Sequence, residues 1–143
     1  MLKRRDKLAA AGASGVVVVI TALGFILSGS PESQRLLAAD ARRVDDLALI
    51  AVQLVRPGLP LPASLSELGF NSAFRTVDRL TGTPYEYRRS EGTKYSLCAT
   101  FSLATPADQR REPFWAHPVG HYCYSLDSSN PPPPHMPDDR YYR

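Results

Sequence analysis

From Leu8 to Leu27 the sequence LAAAGASGVVVVITALGFIL contains no charged residue. A run of this length is what a helix rising about 1.5 Å per residue needs to cross a hydrocarbon core of roughly 30 Å. The β-branched stretch Val16 to Ile20 disfavours helix slightly in water. In lipid every backbone amide must be bonded internally, so helix is the only conformation open to a lone segment. Lys3, Arg4, Arg5 and Lys7 precede the run, and no lysine or arginine falls between Leu8 and Gln34. The positive-inside rule then puts the N-terminus in the cytoplasm and everything beyond about residue 30 outside it. The expected organisation is a basic cytoplasmic segment over 1–7, a transmembrane helix over 8–28, an extracytoplasmic domain over 29–127 and a disordered or extended proline-rich tail over 128–143. A cleaved signal peptide is the competing reading, because Ser28-Gly29-Ser30 is a small-residue stretch of the kind cut by signal peptidases. Against it, Pro31 would follow the cut, and the apolar run is longer than a usual h-region.

The net charge of +3 comes from 17 basic and 14 acidic residues, and the first seven residues account for all of it. The rest of the chain balances to zero, so nucleic acid, which needs basic side chains gathered on the folded domain, is not an expected partner. The pairs Arg42 with Arg43, Arg88 with Arg89 and Arg110 with Arg111 have acids nearby and read as solvated surface.

Ser30-Pro31-Glu32 is a helix start: a hydroxyl at the N-cap, proline at the first helical position and a carboxylate at the positive end of the dipole. The apolar positions Leu37, Ala41, Val44, Ala48, Ala51 and Val55 then recur at steps of three and four, joined late by Leu47, Ile50 and Leu54. Arg42 and Arg43 opposite Asp46 read as this helix's solvated face, and Pro57-Gly58 ends it. Ser64 and Glu67 have capping-box spacing for one short turn closed by Gly69. Tyr85 to Arg89 and Lys94 to Phe101 are strand-like around the loop Ser90-Glu91-Gly92-Thr93, and Gly120 to Leu126 supplies a third strand. The expected fold is α+β, a second amphipathic helix packed on a small antiparallel sheet of about three strands.

The membrane helix, the Arg/Asp-rich amphipathic helix, Leu59-Pro60 to Leu68 and the segment Asp78-Arg79-Leu80-Thr81-Gly82-Thr83-Pro84-Tyr85-Glu86-Tyr87 before a hairpin together resemble bacterial type IV pilin-like proteins. The segment is similar to the Asp-Pro-Trp-Gly-Asn-Pro-Tyr-x-Tyr stretch of major type II secretion pseudopilins, with Asp78, Gly82, Pro84, Tyr85 and Tyr87 matching. The resemblance covers about residues 35 to 126. It implies an inner-membrane, single-pass protein whose periplasmic domain is a structural or interaction module that docks on another envelope protein. The chain departs from the family at the processing site, since Gly24-Phe25 lies at the end of the apolar run and no Glu follows it. The calcium loop of major pseudopilins has only Asp108 and Glu112 as candidates here and is not carried over.

Cys98 and Cys123 are the only cysteines. Each falls on a predicted strand, and the predicted topology puts both in an oxidising compartment, so a disulfide is the expected state. The sharper alternative adds His117 and His121, making two thiolates and two imidazoles, the composition of a structural zinc site. No Ser-His-Asp order with a nucleophile elbow, HExxH, phosphate-binding glycine loop or clustered pair of carboxylates of the catalytic kind is found, so no enzymatic activity and no cofactor is expected. The partners expected are the bilayer, through residues 8–28, and an envelope protein. The second functional class is a small sensor or accessory domain binding a ligand or zinc. A pocket uniting Trp115, His117 and His121 would favour that class, and an apolar strip left open on the long helix would favour docking.

Overall fold

The computed structural model describes residues 14–24, 30–55, 58–68, 75–107 and 113–136. The Ser28-Gly29 break, Pro57, Gly69, Asp108 and Glu112 lie outside the described residues, as do the ends of the predicted membrane span and residues 137–143. The chain divides into two units, Met1–Arg35 and Leu36–Arg143. The described elements are α+β, two helices and one three-stranded antiparallel sheet.

In the first unit residues 14–24 are helical (α1). The Thr21 hydroxyl donates to the Val17 carbonyl at 2.8 Å, so this polar side chain is satisfied by its own helix. Val16, Val17, Val18, Val19, Ile20 and Leu23 are all exposed. Among the described residues no helix is long and apolar enough to cross a membrane, but α1 as described covers only part of the 8–28 segment.

Helix α2, Pro31–Leu54, starts where the capping residues place it. Ser30 Oγ accepts the Ser33 amide at 3.1 Å, and the Ser30 carbonyl accepts the Gln34 amide at 3.1 Å. The Val55 amide bonds the Val52 carbonyl, and Gly58 follows at a φ of 77°. Leu65–Leu68 is one 3-10 turn, in which Glu67 reaches back to the Ala63 amide rather than to that of Ser64.

The sheet is a meander of β1 (Glu86–Arg89), β2 (Lys94–Phe101) and β3 (Gly120–Asp127) in the order β1-β2-β3. The β1–β2 hairpin turns at Gly92, φ 64°, with the Ser90 amide donating to the Lys94 carbonyl at 2.8 Å. Alternation sends Tyr95, Leu97, Ala99 and Phe101 of β2 and Tyr124 and Leu126 of β3 to one face. There they join Val44, Leu47, Ile50, Ala51 and Leu54 of α2 in a single core.

One expectation fails in this unit. Arg43 and Asp46 are not on a solvated face: they are 3% and 1% exposed, while Arg42 stays in water. The buried stripe is rotated from the predicted one and includes Asp40 and Arg43, whereas Leu37, Ala41 and Val55 are only partly covered. The tail, expected to be disordered or extended, is extended as far as residue 136 and is tied to this unit. The Ser128 amide donates to the Thr93 carbonyl at 2.9 Å, the Trp115 indole N–H to the Pro133 carbonyl at 3.1 Å, and His135 Nε2 lies 2.7 Å from Asp45 Oδ1. An extended proline segment has no internal hydrogen bonds, so its carbonyls are free to accept from a buried donor such as the indole. Deleting Pro131 to Arg143 removes the acceptor of Trp115 and the partner of Asp45 and uncovers the indole. The expected cost is about 2 kcal/mol, a fall in thermal midpoint of roughly 10 °C. A midpoint unchanged by the deletion would show that this strap, residues 131–136, contributes nothing.

Candidate functional site

Two groupings of polar side chains and one cavity stand out, all within residues 36–143. The first is buried along α2. Arg43 Nε donates to Asp78 Oδ2 at 2.6 Å, and its Nη1 donates to Asp40 Oδ1 at 2.5 Å and to Ser102 Oγ at 3.1 Å. Asp40 also accepts the amides of Ser102 and Leu103, at 2.9 and 2.8 Å. One turn on, Asp46 accepts from the Tyr85 hydroxyl at 3.1 Å and from Arg79 Nη2 at 3.3 Å.

These bonds explain the turn motif. Asp78 Oδ1 takes the Leu80 amide at 2.7 Å, and its carbonyl takes the Gly82 amide at 2.8 Å. Gly82 adopts a φ of 70°, which glycine tolerates without strain, and Pro84 pairs with Val77 to close the loop. Tyr85 and Tyr87 then point to one side, Tyr85 to Asp46 and Tyr87 to the Pro62 carbonyl at 3.1 Å. The five motif residues thus build a tight loop that clamps the helix through Arg43 and Asp46.

Protonation follows from burial and partners. Burial alone would lower the Arg43 pKa, but the Asp78 and Asp40 carboxylates outweigh it and hold the guanidinium above its ordinary value. Burial alone would raise Asp78, yet the Arg43 bond and the Leu80 and Thr81 amides hold it below the usual carboxylate range. For Asp46 burial wins over Arg79 and Tyr85, and the carboxyl is raised. Tyr85 is pushed far up by burial and by the neighbouring Asp46 charge. Each of these groups is engaged by other side chains or by backbone of the same unit, so the cluster fixes helix to loop.

The second grouping lies on the outer face of the sheet. Cys98 and Cys123, opposite one another in the β2–β3 register, are joined as a disulfide with Cα atoms 4.0 Å apart. His121, two residues before Cys123, shares its face, and Nε2 lies 2.9 Å from Glu86 Oε2. Glu86 is opposite Cys98 in the β1–β2 register and also bonds Arg88. Bonds from His121 and Arg88 lower the Glu86 pKa.

His117 does not join them. It stacks on Phe101, on the core side of the sheet, with ring centroids 3.6 Å apart, and burial lowers its pKa. The four-residue set of Cys98, His117, His121 and Cys123 is therefore not assembled, and Glu86 was missed. Trp115 is elsewhere again, buried under the strap with Tyr124 donating to its carbonyl at 2.8 Å. A pocket shared by Trp115, His117 and His121 is thus not formed.

The third feature is an open cavity of about 440 Å³ between the strap and the turn end of the sheet, walled by Tyr95, Phe114, Leu126 and Pro131 to Pro133. It contains none of the predicted site residues; Lys94 and Asp127, opposite one another across β2–β3, are among the residues that line it. No protein-family model, curated protein or solved structure matches this chain.

Proposed function

We propose that the chain is a single-span membrane protein, N-terminus in the cytoplasm, whose extracytoplasmic α+β unit is a non-catalytic, pilin-like module that docks on another envelope protein. The observation that carries the reading is the surface of α1. Five consecutive β-branched residues, Val16 to Ile20, are exposed around more than a full turn, and a helix apolar on all sides needs an apolar surrounding. The basic cluster before it sets the direction. The Cys98–Cys123 disulfide supports an oxidising location for the second unit. The α2-on-meander arrangement is what the resemblance to pseudopilins implies. Docking is supported by Leu49 and Val52, 41% and 53% exposed and three residues apart on α2, hence neighbours on one open apolar patch.

Protease added to spheroplasts is expected to remove the unit beyond about residue 30 and leave a short membrane-protected N-terminal fragment. Protection of the second unit in intact spheroplasts, with digestion only after lysis, would overturn the orientation. A mature protein starting near Pro31 would overturn the anchor.

A further inference from the structure

We infer that Cys98, Cys123 and His121 are a zinc site that the disulfide masks and reduction uncovers, with Glu86 as the outer partner of the imidazole. The inference needs only the sheet of the second unit and is independent of the membrane reading. The register sets the donors side by side: Glu86 faces Cys98 across β1–β2, Cys98 faces Cys123 across β2–β3, and His121 stands beside Cys123 on the same face. The ligand atoms of Cys98, His121 and Cys123 all lie within 4.8 Å of one another. Tetrahedral donors at Zn–S of about 2.3 Å and Zn–N of about 2.0 Å stand roughly 3.5–4 Å apart, so side-chain rotation suffices to bring them to one ion. Glu86 falls outside this cluster of ligand atoms but already bonds the His121 ring. A carboxylate in that position orients a zinc-bound imidazole and raises its basicity. His121 and Glu86 have side chains 54% and 37% exposed, so an ion reaches them from solvent.

The chemistry balances with one named co-reactant. A dithiol delivers two electrons and two protons to the S–S bond, which breaks to two thiols while the dithiol becomes a disulfide. On binding Zn²⁺ each thiol releases its proton to solvent, and two thiolates neutralise the ion. Three protein donors leave the fourth position to water. In the oxidised chain the sulfurs carry no negative charge and are held to each other, so affinity is lost.

The test uses the purified full-length chain, oxidised and after phosphine reduction, with zinc content, Co²⁺ absorption and circular dichroism as readouts. The folded reduced chain is expected to take up one zinc and to give a thiolate-to-cobalt charge-transfer band, and the oxidised chain to do neither. His121→Ala should weaken binding at least tenfold and Glu86→Gln by about 10–100-fold, whereas His117→Ala should leave it unchanged. Reduction also removes the stability that the bridge contributes, so Cys123→His provides a form that cannot make the bridge yet keeps three donors. It should bind zinc without reductant, and zinc should raise its thermal midpoint. A folded reduced chain that binds no zinc, or a His121→Ala chain that binds as tightly as the unaltered one, would overturn the inference. If the reduced chain is unfolded, absence of zinc binding by Cys123→His would overturn it as well.

Discussion

Replacing Arg43 with alanine is expected to lower stability by about 3–5 kcal/mol, among the largest effects of any single substitution in the chain. Asp40 and Asp78 are buried against its guanidinium, and removing the cation strands two carboxylates in a medium that solvates them poorly. Arg42→Ala, one residue away and exposed, should cost less than about 0.5 kcal/mol. Denaturant titration of the two variants measures the contrast, and equal effects would show that the buried ion pairs carry no weight. The same pairs set the acid limb. Asp78 has a folded pKa below its unfolded value, so its stabilisation is present above that value, near 3.8, and is lost as pH falls through the depressed one. Asp46, raised by burial, acts in the opposite sense: its contribution is largest at acid pH and declines as pH rises through its folded pKa. Arg43→Ala removes the main attraction on Asp78 and leaves Asp46 in place. Its stability should therefore fall less on acidification from pH 7 to pH 3 than that of the unaltered chain.

Loss of the disulfide is the second large effect. The bridge spans 25 residues and on the chain-entropy model stabilises by roughly 3 kcal/mol. Cys98→Ser and Cys123→Ser are each expected to cost about that amount, and the double substitution little more, since one bond is lost in all three. A double variant whose cost equals the two single costs added together would show that the residues act independently of the bridge.

Much of this arrangement is legible in the sequence where local signals agree. Ser30 and Pro31 mark the start of α2 to the residue because capping is a short-range matter of one hydroxyl and one missing amide hydrogen. The strands read correctly because their alternation is strict, and it places Cys98 and Cys123 on the face away from Tyr95 and Leu97. The buried charges of α2 were not read from composition, since Arg-Arg and Asp-Asp pairs usually mark a wet surface. A signal was present: Asp40, Arg43 and Leu47 follow steps of three and four that continue through Ala51 and Leu54, so charged residues occupied the apolar stripe itself. Their partners, Asp78 and Ser102, lie 35 and 59 residues further on, beyond any local pattern. The strap was missed for the opposite reason. Proline removes the local bonds by which order is usually recognised, and Pro133 is fixed by an indole donor from Trp115. His117 and His121 look equivalent as a pair in the sequence, and only the side of the sheet separates them.

The register of β2 against β3 also has a meaning in time. The β1–β2 hairpin closes over a few residues and forms on a scale of microseconds, whereas β3 arrives after the long connection from Phe101 to Gly120. A slip of one residue in that late pairing would turn Cys123 toward the core while Cys98 stayed outside. Thiol oxidation takes seconds to hours, far longer than the strands need to sample wrong alignments and leave them. Covalent closure therefore selects chains that have already found the native alignment, and the fraction oxidised becomes a chemical record of correctly completed folding.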